Sequence, residues 1–322
     1  MEADVRLSDV LAAQARLARY LVPTPLQPSV AAREAVGGDV LLKLEMFQPI
    51  RVFKIRGALN RILHLREEGH VDGVVTASAG NHGMAVAYAA DRFGIPATVC
   101  VPENGNQAKV RAIRRLGARI VAQGEDFQAA TDNADRIARD EHLTFVHAYD
   151  DVDVVAGQAT LGMELLLQPQ PFDAVLVPIG GGGLLGGVSL ALKRHRPEVK
   201  VYGVAMSGAD SMVRSLAAGR VVALDQVRTI ADGLSPRRPS ELTLALVRQY
   251  VDDVVVIDDE DLYAALHLLL FEEHLVVEPS GAATLAALMR FGADRFGQRP
   301  VAVLSGGFCA DEIVRRVVQM DQ

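Results

Sequence analysis

Short runs rich in β-branched residues, each followed by an amphipathic helical stretch, recur along the whole 322-residue chain. The strand candidates are residues 40–45, 74–78, 97–101, 119–122, 144–148, 173–178, 200–205, 251–257 and 301–305. Alternation on this scale predicts an α/β protein whose sheets are mainly parallel and flanked by helices. Nine or more strands would strain a single open sheet, so two twisted sheets are expected. Two domains also match the chain's length. The first helix illustrates the pattern: Val10, Ala13, Leu17 and Leu21 form one apolar face, with Ser8 expected as its N-cap.

Composition narrows the function classes. Half of the residues are hydrophobic, enough for a large core, and the net charge is −7. The basic clusters (Lys193–Arg196, Arg237–Arg238 and Arg315–Arg316) are short and scattered, which fits solvated helix ends better than a nucleic-acid surface. Cys100 and Cys309 are the only cysteines and have no metal-ligand spacing, which points to a reducing compartment. No apolar run is long enough to span a membrane, and "MEADVRLSDV" lacks the pattern of a signal peptide. A cytoplasmic location is the expectation.

Ligands of open parallel sheets bind beyond the carboxyl ends of strands, so the loops that follow strands are where chemistry is sought. The loop in "VLVPIGGGGLLGG" places Gly180, Gly181, Gly182 and Gly183 between a strand and a helix. Consecutive glycines let a backbone approach an anion closely, and the helix N-terminus adds its dipole. Gly181, Gly183 and Gly186 satisfy G-x-G-x-x-G, but the next strand ends in Ala205 and Met206 rather than the acid that would hold a ribose. A Walker A loop is excluded because no Gly-Lys-Ser/Thr follows. What remains is a cradle for one phosphate group.

Two more loops share this form. In "VVTASAGNHG", Ser78 or Asn81 either caps the next helix or belongs to a nest for a carboxylate. His82 has no acidic or serine partner at a telling spacing and reads as structural. In "VAVLSGGFCADEI", Ser305 projects a hydroxyl at a strand end, and Cys309 reads as a packed thiol. Lys54 lies among Val52, Phe53 and Ile55, bracketed by Arg51 and Arg56. Such a lysine is either exposed on a strand's polar side or a buried amine with a task. A buried amine has a lowered pKa and can form a Schiff base. Taken together with a cradle for one phosphate, such a lysine makes pyridoxal 5'-phosphate the best fit among cofactors that carry one phosphate and one aldehyde.

The segments "FKIRGALN", "SAGNHG", "IGGGGLLGG", "TIADG", "VEPSGAA" and "VLSGG" follow one another over nearly the whole chain. Together they resemble the fold-type II pyridoxal-phosphate enzymes, and within them the threonine/serine dehydratase and serine racemase branch. The resemblance implies a tryptophan synthase β-like fold, with a large cofactor-binding domain of residues 1–72 and 150–322 and a small domain of residues 73–149. It implies that Lys54 carries the cofactor and acts as the base, with Phe53 beside the ring. Asn81 would meet the ring hydroxyl, Gly180–Gly183 the phosphate and Ser305 the pyridine nitrogen. The substrate carboxylate would lie against Ser78, Ala79, Asn81 and His82. The activity implied is β-elimination from a threonine- or serine-like β-hydroxy-α-amino acid, giving a 2-oxo acid and ammonia in a homodimeric enzyme of the short catabolic type, with no appended regulatory domain.

Several positions depart from the branch. Ile50, Arg51 and Val52 replace its usual Thr-Gly-Ser, which puts the substrate in question, and Phe308 replaces an asparagine. Ala79 replaces a second serine and cannot exchange protons, which disfavours the alternative of a racemase. Ala205 and Ser211 stand where other members place acidic metal ligands, with Asp210 unaligned, so no metal is expected. A β-replacement synthase is a further alternative on the same scaffold. A nicotinamide oxidoreductase and a catalytically inert binding protein are disfavoured by the missing ribose acid and by the intact lysine, respectively.

Overall fold

The computed structural model describes residues 5–69, 71–103, 107–125 and 127–321. Met1 to Asp4, the start of the segment expected to lack a signal peptide, lie outside the described residues. Among the described residues, ten strands form two sheets. They are β1 (Leu26–Pro28), β2 (Leu41–Leu44), β3 (Val74–Ala77), β4 (Ala97–Val101), β5 (Arg119–Ala122), β6 (Thr144–Phe145), β7 (Ala174–Pro178), β8 (Lys200–Met206), β9 (Asp253–Ile257) and β10 (Pro300–Leu304). The larger sheet runs β1-β2-β10-β7-β8-β9 and the smaller β5-β4-β3-β6. All neighbours are parallel except β1 and β2, where Leu26 pairs with Lys43. The expected class, two mainly parallel sheets flanked by helices, is the class observed.

The differences lie at the edges of elements. Strand β1 has no counterpart in the sequence reading, because three residues ending in a proline carry no alternation to detect. The run at 144–148 is a strand only over Thr144–Phe145, after which the chain turns into the site. The first helix spans Leu7–Leu17 and is capped by Arg6, not Ser8. Asp9 fixes that start by accepting the Arg6 backbone N–H at 2.8 Å, and Val10, Ala13 and Leu17 are buried as the periodicity predicts.

The larger sheet is buried on both faces, which explains why its strands read as continuous apolar runs. One face packs Leu42, Leu44, Leu176, Val204 and Leu304 with the helix Pro279–Phe291. The other packs Leu41, Val175, Val201 and Val303 with the helix Gly183–His195. Two long helices, Lys54–Glu68 and Val152–Leu166, cross at glycines. A Cβ on Gly157 would lie 2.7 Å from the Gly57 Cα, so only glycine permits this approach. The crossing sets the start of the first of these helices, and therefore Lys54, against the chain leaving β6.

Strand β10 lies beside β7, so their following loops are neighbours at the carboxyl edge of the larger sheet. The loop after β3 comes from the smaller sheet. The three loops singled out by sequence thus come from the edges where ligands of parallel sheets are bound.

Candidate active site

Lys54 is the first residue of its helix rather than part of a strand. Val52 makes only an isolated bridge to Gly306, and the Phe53 N–H donates to the Ser305 carbonyl at 3.0 Å. The lysine amine is turned inward and donates to the Ala148 carbonyl at 2.9 Å, 5.3 Å from the centre of the Phe53 ring. Burial pushes its pKa down to about 8. The chain's other lysines all meet a carboxylate. Lys43 pairs with Glu164 at 2.6 Å, Lys109 with Asp232, and Lys193 and Lys200 with Asp252 at 2.6 and 3.0 Å. Among the described residues, Lys54 is the one lysine that no carboxylate meets.

The glycine loop is rigidly held. Gly182 has φ 91° and caps the 13-residue helix Gly183–His195, whose last turn carries Lys193, Arg194 and His195 in agreement with the helix dipole. A Cβ on Gly181 would lie 2.4 Å from the Tyr149 ring, and one on Gly182 would lie 2.6 Å from the Met212 Cε. Among the described residues, no protein acceptor takes the N–H of Gly181, Gly182 or Gly183. Buried donors at a helix N-terminus suit an anion such as a phosphate.

Asn81 begins the helix Asn81–Asp91 and is buried. Its Nδ2 donates to Glu278 Oε1 at 2.7 Å, while its Oδ1 has no partner among the described residues. The half-buried Ser78 accepts the Gly80 N–H at 3.2 Å. Ala79, Ile50 and Phe308 are half-buried and pack against one apolar cluster of the smaller sheet. His82 Nε2 donates to the Val146 carbonyl at 3.0 Å, and burial, with Lys54 nearby, pushes its pKa down to about 3. The ring is therefore neutral at ordinary pH and serves as a donor. Burial pushes the Cys309 thiol up to about 11, the opposite of what a nucleophile needs.

These groups close into a ring of contacts. Lys54 bonds Ala148, and the adjacent Tyr149 ring covers Gly181. A Cβ on Gly180 would touch the Gly233 carbonyl at 3.0 Å, and Gly233 donates to Ser280 Oγ at 2.9 Å. One on Gly233 would lie 4.0 Å from the Asn81 Nδ2, which bonds Glu278. The Glu278 N–H donates to Gly306 at 3.1 Å, and the preceding Ser305 bonds Phe53, beside Lys54. Every loop singled out by sequence contributes to this ring. Tyr149 and Glu278 join it, and Asp232, the partner of Lys109, borders it, without having been singled out there. Glu278 and Asp232 do fall in the quoted "VEPSGAA" and "TIADG" segments, but an acid before a proline or a glycine reads from sequence as helix capping.

Residues 17–306 match the family described as "Pyridoxal-phosphate dependent enzyme". The chain belongs to that family. Its cofactor is accordingly pyridoxal 5'-phosphate, and the unpartnered glycine amides and the carboxylate-free lysine fit such a group. The chain is 40% identical over 314 residues to the L-threonine ammonia-lyase of Thermotoga maritima, covering 98% of this chain and 78% of that protein. It is 38% identical over 285 residues to the biosynthetic L-threonine dehydratase IlvA of Pasteurella multocida, covering 88% of this chain but only 56% of that one. The solved structure of maize serine racemase superposes with a TM-score of 0.91 at 34% identity, covering 98% of both chains.

Proposed function

We propose that this enzyme is an ammonia-lyase that eliminates the β-hydroxyl of a threonine- or serine-like amino acid, giving a 2-oxo acid and ammonia. The observation that carries the reading is Lys54, the lysine that meets no carboxylate, at the point where the loops converge. Relatives named threonine ammonia-lyase and threonine dehydratase support it. When bound, pyridoxal phosphate supplies an electron sink that labilises bonds at an amino acid's α-carbon. In this reading the N–H groups of Gly180–Gly183 would hold the phosphate, Phe53 would lie beside the ring, Asn81 would meet the ring hydroxyl and Ser305 the pyridine nitrogen. Lys54 Nζ would anchor the cofactor, and its amine is the group placed to take the α-proton. A pKa of about 8 leaves a useful neutral fraction near neutrality. Ser78 and the backbone of Ala79, Asn81 and His82 orient the substrate carboxylate. Ala79 has no exchangeable proton, which argues against racemisation.

The division into residues 1–72 with 150–322 and residues 73–149 belongs to the same proposal, supported by the four strands of the smaller sheet all falling within the second range. So do a homodimeric state and a cytoplasmic location. A panel of β-hydroxy amino acids, scored for 2-oxo acid and ammonia, tests the reading. At least one should yield both products in equal amounts with the wild-type enzyme and neither with Lys54→Ala. No product from any of them contradicts it.

A further inference from the structure

Glu278 is 2% exposed, and its backbone leaves it no freedom. It caps the helix Pro279–Phe291, its carbonyl accepting the Gly281 and Ala282 N–H groups at 2.8 and 3.0 Å. Its own N–H is tied to Gly306. The carboxyl lies directly on the backbone one residue beyond Ser305, since a Cβ on Gly306 would sit 2.5 Å from Oε1. Asn81 donates the side chain's hydrogen bond, and Oε2 has none among the described residues. The charged and titratable groups facing it are Lys109 on the helix Gln107–Arg115, its partner Asp232 and the Cys309 thiol. A carboxyl buried with one bare oxygen is costly, so a purely structural site would not select it.

We propose that Glu278 is a positioning residue for the cofactor. By accepting the Asn81 Nδ2 hydrogen bond, it fixes the amide that meets the ring, and its charge acts on the ring through that amide. A free amide could present either end; a carboxyl acceptor holds the nitrogen end. One Nδ2 proton is committed to Glu278, leaving the second for the ring oxygen. The inference rests on the reading that Asn81 contacts the cofactor.

The test uses the holoenzyme, its visible absorption recorded from pH 5.5 to 9 and its cofactor release timed after dilution. The carboxyl is raised to about 7, chiefly by burial, so the wild-type band should change with a midpoint near there. Glu278→Gln keeps an acceptor but loses the charge, so its band should stay constant across this range while the cofactor stays bound. Glu278→Ala leaves the Asn81 nitrogen unpaired and should release cofactor roughly tenfold faster. In an Asn81→Ala background, Glu278→Ala should add nothing further. A wild-type midpoint in Glu278→Gln, or independent effects of the two alanine variants, overturns the inference. If Glu278→Ala does not fold, the Glu278→Gln spectrum still decides. An Asn81→Ala enzyme with an unchanged band and release rate overturns the Asn81 reading itself and the inference with it. A changed Asn81→Ala beside an unchanged Glu278→Gln overturns the inference alone.

Discussion

Two buried clusters of charge lie close together in this chain, and they are built on opposite principles. Around Arg56, every charge is matched. Its guanidinium takes both oxygens of Glu45 at 2.7 and 2.8 Å and one of Glu164 at 2.6 Å, and Lys43 takes the other Glu164 oxygen at 2.6 Å. Thr24 adds a hydroxyl to Glu45 at 2.6 Å. Burial alone would raise the Glu45 carboxyl, but Arg56 beside it pulls it below the usual range. Two residues earlier in the same helix, Lys54 has only a carbonyl, and Glu278, in the same ring of contacts, has only an amide. With no opposite charge bonded to them, burial moves both towards neutrality, to about 8 and about 7. A balanced cluster keeps its charges and fixes geometry. An unbalanced one gives up charge within the working pH range, which is what acid–base chemistry needs.

Substitutions can break this contrast. The largest effect is expected for Lys54→Ala, which should lower kcat/KM by on the order of 10³-fold or more while leaving the urea midpoint unchanged or raised. Arg56→Met should do the reverse kind of damage. It strands the buried Glu45 carboxylate and takes one of the two cations from Glu164, and should cost about 3–5 kcal/mol in a urea titration, and Arg56→Met with Glu45→Gln should cost clearly less than the two singles summed. Retained stability in Arg56→Met would show that the cluster does not anchor the helix.

The pH dependence of apoenzyme stability sharpens the same contrast, because the two site groups act with opposite sign. Glu278 has a folded pKa above its unfolded value of about 4.5, so the folded state binds the extra proton between them. Its contribution therefore makes stability fall as pH rises from about 4.5 to about 7, by up to about 3 kcal/mol. Lys54 has a folded pKa below its unfolded value of 10.5, so the unfolded state binds the extra proton. Its contribution makes stability rise between about 8 and 10.5, by a similar upper bound. Urea titrations across pH should show the first slope flattened in Glu278→Gln and the second in Lys54→Met. Neither slope should depend on the Arg56 cluster.

The smallest expected effect concerns Arg51. It adopts φ 63°, a left-handed conformation that costs an arginine about 1–2 kcal/mol, at the position where the family's usual glycine would have none of this strain. Arg51→Gly should raise stability by about 1 kcal/mol or less, since glycine also loosens the unfolded chain. If the arginine was retained for its substrate, kcat/KM should fall while stability rises. Unchanged selectivity over the amino-acid panel would separate Arg51 from the choice of substrate.

How much of this was legible in the sequence follows from the range of the interactions. The strands and their loops were legible because alternation, glycine runs and strand ends are local signals. Lys54 stood out because a charge among apolar neighbours is local too, although its helical setting was not: Val52, Phe53 and Ile55 read equally well as strand. Ser8 was misplaced as a cap because Asp9, reaching back to Arg6, fixes the helix start instead. The matched cluster was hidden, since Lys43 and Glu164 lie 121 residues apart. So was Glu278, whose partner Asn81 is 197 residues away. Sequence spacing shows which residues could do chemistry, and only the fold shows which charges are left unmatched.

The most direct test of the central claim uses the chain's small set of lysines: Lys43, Lys54, Lys109, Lys193 and Lys200. Borohydride reduction of the holoenzyme, followed by proteolysis and mass mapping, locates any lysine bound to the cofactor. The mass of reduced pyridoxal phosphate should appear on the peptide containing Lys54 and on none containing a carboxylate-paired lysine. Stoichiometric label on any other lysine, or on none, would contradict the account.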